Sequence, residues 1–241
     1  MTLPLLIVGG TGLVGSAIVR EAQKTNQYHL MSYSRKLPKP SQQQQNVQYF
    51  QGNALQLGSV ERAVENNPHI VHTVGTLFEQ PGPDGTYERI NRDTALTVAR
   101  AAAERFDGKK PRCMIYFSAS SAPPKAFLDE RYIVAKRQAE ADLLDDEFKG
   151  RLRIVIFRPA FIYSYHQRQY LLPLALSMIV SSMILKPLSR REVLLADRPL
   201  LDQDVAKAVL ETLSDDQVEG VCGIERMRAL ARAWEKRATL K

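Results

Sequence analysis

Cysteine is nearly missing from this chain. Its 241 residues hold two, Cys113 and Cys222, too few for a disulfide framework and too far apart for a zinc spacing. That usage fits a reducing compartment. Histidine is as scarce, with four residues and no i, i+4 pair, which argues against a His-based metal site. No apolar run reaches the ~20 residues needed to span a bilayer. The stretch that comes nearest, residues 170–185, has 16 uncharged residues that include Pro173 and three serines, between Arg168 and Lys186. It reads as a buried cap helix lining a cleft, with an interfacial or partner-binding helix as the alternative. No basic leader precedes the first apolar run, so no cleavable targeting signal is expected.

Acidic charge is also in deficit: 26 Asp and Glu against 33 Lys and Arg leave a net charge of +7. The basic residues are scattered among acids and form no stripe with interleaved aromatics, which argues against nucleic acid as a partner. The balance fits the surface of a protein from a compartment of high pH. With 44% hydrophobic and 24% charged residues, the composition excludes a wholly disordered chain.

Short apolar runs alternate with helical patterns. Strands are expected over 5–8, 28–33, 47–50, 70–74, 114–117 and 154–157, and helices over 16–24, 59–65, 89–106 and 132–148. Loops are expected over 37–46 and 79–86, the second rich in Pro and Gly. Such an order predicts an α/β fold: a doubly wound parallel sheet of the Rossmann type. After Pro159 the pattern turns irregular, with further helices expected over 203–213 and 225–240. Two units follow, a dinucleotide-binding domain over 1–160 and a small C-terminal cap over 161–241 built on it.

The run Gly9-Gly10-Thr11-Gly12-Leu13-Val14-Gly15 follows the first strand and opens the first helix. That is the context in which a glycine triad binds a dinucleotide: the turn is tight, and a side chain at Gly12 would keep a pyrophosphate from the backbone amides. Gly15 is expected to let the helix pack closely on the sheet. The end of the second strand selects the dinucleotide. NAD binders carry an acid there, about 20 residues on; this chain has Ser34 and Arg35. A guanidinium suits a 2′-phosphate, so NADP(H) is expected ahead of NAD(H).

Tyr132 and Lys136 stand four apart at the start of a long helix and share a face. A nearby ammonium favours the phenolate and lowers the phenol towards the range useful for proton transfer. Ser118-Ala119-Ser120-Ser121 closes the preceding strand.

With Gly52-Asn53, Val74-Gly75, Asn91, Arg158-Pro159-Ala160-Phe161-Ile162-Tyr163 and Asp204-Val205-Ala206, these landmarks span most of the chain. On them the sequence resembles the short-chain dehydrogenase/reductase superfamily. Residues 71–77 and 131–140 are most similar to an atypical mitochondrial branch. That branch holds a fungal protein of the ubiquinone-biosynthesis complex and the NADPH-binding accessory subunit of respiratory complex I. The resemblance implies that Gly10, Gly12, Leu13 and Val14 meet the pyrophosphate, with Gly9 and Thr11 in the same loop. It places Asn53 and Ala54 at the adenine, Gly75, next to Val74, at the ribose, and Pro159, Ala160 and Ile162 at the nicotinamide. Tyr132 would be the general acid/base, Lys136 would hold the ribose, and Ser120 would position the substrate oxygen. Asn53 stands where an Asp is usual, and Ala119 interrupts the usual serine pair; if Ala119 fills the substrate-facing slot, the triad is incomplete.

Two functions are implied. One is an NADP(H)-dependent oxidoreductase acting on a lipophilic, quinone-type carbonyl or alcohol. The other is a non-catalytic subunit that keeps NADPH as a structural element of a mitochondrial complex. The expected setting is mitochondrial, with peripheral contact to the matrix side of the inner membrane, and the cytoplasm is the alternative.

Overall fold

The computed structural model describes residues 2–120, 129–167, 169, 172, 176 and 198–239. The expected cap helix over 170–185 therefore lies outside the described residues except at Leu172 and Leu176, and Ser121 lies outside them too.

Nine strands are described. They are β1 (Leu3–Val8), β2 (Tyr28–Ser34), β3 (Val47–Gln51), β4 (His69–His72), β5 (Arg112–Phe117), β6 (Leu152–Phe157), β7 (Ile162–Tyr163), β8 (Leu200–Leu201) and β9 (Gly220–Cys222). Seven of them form one parallel sheet in the order β3-β2-β1-β4-β5-β6-β9, and β7 and β8 pair outside it. The central strands are apolar throughout because helices cover both of their faces. Along β1, Leu5 and Ile7 enter one core and Leu6 and Val8 the other. Successive side chains of a strand point to opposite faces, so one apolar run feeds both layers.

The first core is closed by α1 (Leu13–Gln23), α5 (Asp202–Ser214) and α6 (Ile224–Thr239). The second is closed by α2 (Leu57–Val64), α3 (Thr94–Glu104) and the C-terminal half of α4 (Glu130–Leu143). No helix of the described residues is long and apolar enough to cross a membrane. Strand order reverses between β1 and β4, and at such a switch point a crevice opens at the carboxyl ends of the strands.

Six strands were expected up to residue 160, and all six are present. The seventh strand of the sheet, β9, has no sequence signal, because it is three residues long and begins at Gly220, with no periodicity to read; its pairing with Val155–Phe157 of β6 makes it a strand. The expected single helix over 89–106 is divided: a π-helical turn, Glu88–Asp93, precedes α3. The expected helix over 132–148 starts earlier and ends at Leu143, followed by a 3₁₀ turn at Asp146–Phe148.

Gly15 lies on the buried side of α1, where a Cβ would come within 2.7 Å of the Gly10 Cα and closer still to the Gly9 carbonyl oxygen. Gly15→Ala should therefore cost about 2 kcal/mol, as overpacking does. Gly58→Ala on the open face of α2, where a Cβ meets nothing within 4 Å, should instead gain up to about 1 kcal/mol from helix propensity. Chemical denaturation of both variants checks the pair.

Candidate active site

After β1 the chain is fastened to both neighbouring strands. Gly9 N–H donates to the Tyr33 carbonyl on β2 at 2.8 Å. Thr73 Oγ1, just past β4, donates to the carbonyls of Val8 and Gly9 at 2.9 and 3.1 Å. Thr11 donates through its amide and hydroxyl to Ser34 Oγ at 3.4 and 3.1 Å. Gly9 has φ +90°, and a Cβ there would stand 2.7 Å from Thr73 Oγ1, so glycine is required twice over. At Gly12 a Cβ would touch only the Gly9 carbonyl oxygen, at 3.3 Å. Packing within the protein does not demand a glycine there, which fits a demand coming from something that approaches the loop from outside. Gly12 is the N-cap of α1 and offers no side-chain acceptor, so the first-turn amides are left for an anion. These features fit a pyrophosphate over Gly10, Gly12, Leu13 and Val14.

Arg35 and Lys36 follow β2 and are exposed. The Arg35 carbonyl accepts from Gln51 Nε2 at 3.1 Å, and its guanidinium enters no ion pair among the described residues. Asn53 Oδ1 accepts from Leu55 N–H at 3.1 Å and turns the chain towards α2, with Ala54 buried behind it. Ser34, Arg35, Asn53 and Ala54 thus cluster at the ends of β2 and β3, where an adenosine would lie.

Asp129 caps α4 by accepting from Arg131 N–H at 2.9 Å. Tyr132, Ala135, Lys136, Ala139 and Glu140 lie on its buried face. Lys136 Nζ donates to the Phe117 carbonyl oxygen at 2.7 Å and sits 4.9 Å from the centre of the Tyr116 ring. A Cβ on Gly75 would come within 3.2 Å of this Nζ and 3.0 Å of Asn91 Oδ1. The segment 73–75 thus links the two sides: Thr73 and Val74 lie against Gly9, and Gly75 lies against Lys136. Tyr132 packs edge-on against Tyr87, ring centres 6.1 Å apart, with Ala119 and Ile133 beside them.

One electrostatic expectation is corrected. Tyr132 and Lys136 share a face, but the ammonium turns to the Phe117 carbonyl, and burial pushes the Tyr132 phenol up to about 12. Arg137 opposes that shift and Tyr87 adds to it. Lys136 is itself pulled down to about 7 by burial, against the attraction of Glu140. Burial also works against ionised Glu140, but Arg158, Ser118 and Arg137 outweigh it and hold the carboxyl below its usual range. Arg158 Nε lies 3.0 and 3.1 Å from the two Glu140 oxygens.

The serine row divides its work. Ser118 is buried and lies 3.4 Å from the Arg137 guanidinium. Ala119 packs on the Tyr87–Tyr132 cluster. Ser120 donates its N–H to the Pro159 carbonyl at 2.8 Å, and its carbonyl accepts from Arg137 at 3.0 Å. Its hydroxyl oxygen is buried with no hydrogen-bond partner among the described residues, as a group reserved for a ligand would be. Ile162 on β7 packs at the edge of the first core. A cavity of about 250 Å³ lies elsewhere, lined by Tyr163, Leu200, Asp204 and Arg228 among others, none of them part of this array. Among the described residues no group of three His, Cys, Asp or Glu is placed to hold a metal.

Sequence reasoning missed the ion pair of buried Glu140 with half-buried Arg158, and Thr76, whose N–H donates to Asn91 Oδ1 at 2.9 Å. An Asn inside an alanine-rich helix was the one available signal, because its helix propensity is poor and a buried carboxamide demands partners.

The depressed Lys136 predicts a pH effect on stability. Between pH 7 and 10.5 the unfolded chain holds a proton that the folded chain does not, so stability from this group rises with pH, by at most about 1.4 kcal/mol per unit. Below pH 7 the full penalty of charging the buried amine remains. Lys136→Met removes this dependence, so the stability difference between variant and unaltered protein should shift steadily from about pH 7 to 10 in denaturant titrations.

The profile of the NAD dependent epimerase/dehydratase family matches residues 5–221. MIOREX complex component 2 of Saccharomyces cerevisiae is 24% identical over 92% of this chain and 98% of its own length. An uncharacterized chloroplastic protein of Arabidopsis thaliana is 27% identical over 94% of this chain and 77% of its own. UDP-glucose 4-epimerase of Thermus thermophilus, solved in complex with NAD, superimposes with a TM-score of 0.65 at 17% identity, over 98% of this chain and 84% of that one. The enzyme WbmF of Bordetella bronchiseptica with NAD+ gives a TM-score of 0.65 at 14% identity, over 98% and 78%. At such identities the structural likeness shows the fold alone, but the profile covers most of the chain: this protein belongs to the NAD dependent epimerase/dehydratase family, within the extended short-chain dehydrogenases/reductases.

Proposed function

We propose that this chain is an NADP(H)-binding oxidoreductase that reduces or oxidises a lipophilic carbonyl or alcohol in mitochondria. The observation that carries this reading is the segment 73–75, in which Thr73 and Val74 lie against Gly9 of the glycine loop and Gly75 lies against the Lys136 amine, on the buried face of α4 that also bears Tyr132. The fold's ligand crevice runs along the same strand ends. A bound nicotinamide supplies hydride transfer. The chain's own residues do the rest. Lys136 Nζ can donate to ribose hydroxyls, and Ser120 Oγ, which has no partner among the described residues, can orient a substrate oxygen. A phenol held at about 12 is protonated at neutral pH, which suits Tyr132 to deliver a proton from its hydroxyl to a forming alkoxide. Tyr87, Ala119 and Ile133 make the wall around it apolar, and Leu77 and Phe78 are exposed just beyond the Gly75–Thr76 turn. Both features suit a lipophilic substrate better than a sugar nucleotide.

NADP(H) over NAD(H) is supported by Arg35 and Lys36 at the end of β2, where no carboxylate stands. A mitochondrial setting is supported by the similarity to a MIOREX complex component and by the basic net charge. That relative's membership of a complex, together with the alanine in the serine row, also supports the second reading, a subunit that holds the dinucleotide without turning over.

Two variants separate the readings and a third tests the choice of dinucleotide. Tyr132→Phe should lower NADPH-dependent turnover by about 100-fold while leaving dinucleotide affinity nearly unchanged. In cells lacking the protein, rescue by Tyr132→Phe but not by Gly12→Val would make the dinucleotide a structural element and end the catalytic reading. Arg35→Asp should reverse the preference for NADPH over NADH in fluorescence titrations; equal affinities of the unaltered protein for both would remove the NADP assignment.

A further inference from the structure

The π-helical turn Glu88–Asp93 carries Asn91, which is 0% exposed and grips the Gly75–Thr76 turn from both sides. Its Oδ1 accepts from Thr76 N–H at 2.9 Å and its Nδ2 donates to the Thr76 carbonyl at 3.2 Å. A π-turn is an unfavourable way to enter a helix, since it widens the coil and displaces the regular hydrogen bonds. Here the Thr94 amide donates to the Arg89 carbonyl, five residues back, and so is not committed to Ile90 four residues back. Thr94 Oγ1 supplies the Ile90 carbonyl with a donor, at 2.7 Å.

That bond uses the hydroxyl proton of Thr94, so Oγ1 is left as an acceptor. His72 Nε2, at the end of β4, lies 3.1 Å from it and must therefore carry the hydrogen. His72 is 0% exposed, and burial, then the nearby Lys136, pull it down to about 3, so the ring is neutral and keeps this tautomer. From β5, Tyr116 OH donates to the Asn91 carbonyl at 2.7 Å. The Tyr116 ring lies 5.8 Å from His72 and beneath the Lys136 amine.

We propose that His72, Thr94 and Tyr116 form a clasp of positioning residues that holds the π-turn open, and thereby sets the Asn91 carboxamide and the Gly75–Thr76 turn for the dinucleotide. All three are buried. They act through Asn91, joining the ends of β4 and β5 to the turn that precedes α3. The role in ligand binding rests on the dinucleotide reading above; the role in ordering the turn does not.

The full chain tests it with two measurements, hydrogen exchange at the Thr76 amide and titration with NADPH. Thr94→Val keeps the shape and removes the hydroxyl. It removes the bonds to Ile90 and His72, and should speed Thr76 exchange and weaken NADPH, each by about tenfold or more, since each buried hydrogen bond contributes about 1 kcal/mol. Thr94→Ser restores the hydroxyl and should restore both values. Val98→Ala, a fully buried change in α3 without a bond to the turn, should lower the melting temperature while leaving Thr76 exchange and affinity close to those of the unaltered protein. Tyr116→Phe should speed Thr76 exchange as Thr94→Val does, and carries the test if Thr94→Val does not fold. Equal Thr76 exchange in Thr94→Val and Val98→Ala, or a Thr94→Ser variant that behaves like Thr94→Val, would overturn the clasp. If the unaltered protein binds no NADPH, the functional reading fails, and the exchange data still decide the clasp.

Discussion

Between Val8 and Leu13 the chain leaves a strand buried on both faces and enters a helix that packs on that same strand, with four residues in which to turn. Everything at the carboxyl edge of the sheet depends on this constraint. Gly9 can take a positive φ, and the space at Gly10 and Gly15 lets backbone lie on backbone. The turn is then bolted to β2 through Ser34 and Tyr33, and to the end of β4 through Thr73. The strands of the switch point are thereby held at the spacing an elongated ligand requires. A Cβ at Gly9, Gly10 or Gly15 would run into Thr73, Ser32 or the Gly9 carbonyl respectively, before it affected any ligand.

The second half of the site is an exercise in keeping charge out of water. Lys136 and Glu140 are both buried one helical turn apart on α4, and each has its own partner. Glu140 receives Arg158 and Arg137, so it remains a carboxylate. Among the described residues Lys136 bonds a carbonyl and faces an aromatic ring, and burial outweighs the attraction of Glu140, so it becomes easy to deprotonate. A buried cation whose only partners are neutral is costly to hold charged. It is also poised to gain from any ligand that brings hydroxyl acceptors. The phenol of Tyr132, lacking help from that amine, stays in its protonated form. The same α4 face thus carries a proton-bearing acid and a near-neutral amine, which is a different division of labour from an ammonium that activates its tyrosine neighbour.

The doubly wound architecture was readable because its signals are local. Apolar runs buried on two faces, helices of 3.6-residue period between them, and a glycine run at the first turn each report on themselves. Tyr132 and Lys136 share the buried face of α4 as their spacing implies, and Gly9 to Gly12 make the turn after β1, although α1 begins at Leu13, three residues before the expected start. Those residue types at those spacings determine helix face and turn geometry without help from the rest of the chain.

Only the tertiary structure decided what each of those groups does. The direction of Lys136 depends on the Phe117 carbonyl, 19 residues away, and the burial of Tyr132 depends on Tyr87. The short strand β9 exists because β6 has a free edge for it, and the π-turn exists because His72 and Tyr116 approach from two strands. Burial and hydrogen-bond partnership are properties of neighbours brought together by folding, and no local pattern encodes them. The sequence by itself determined the sheet, the turn and the residue types at its edge; protonation, tautomer and orientation came from packing, because they are set by long-range contacts in a low-dielectric interior.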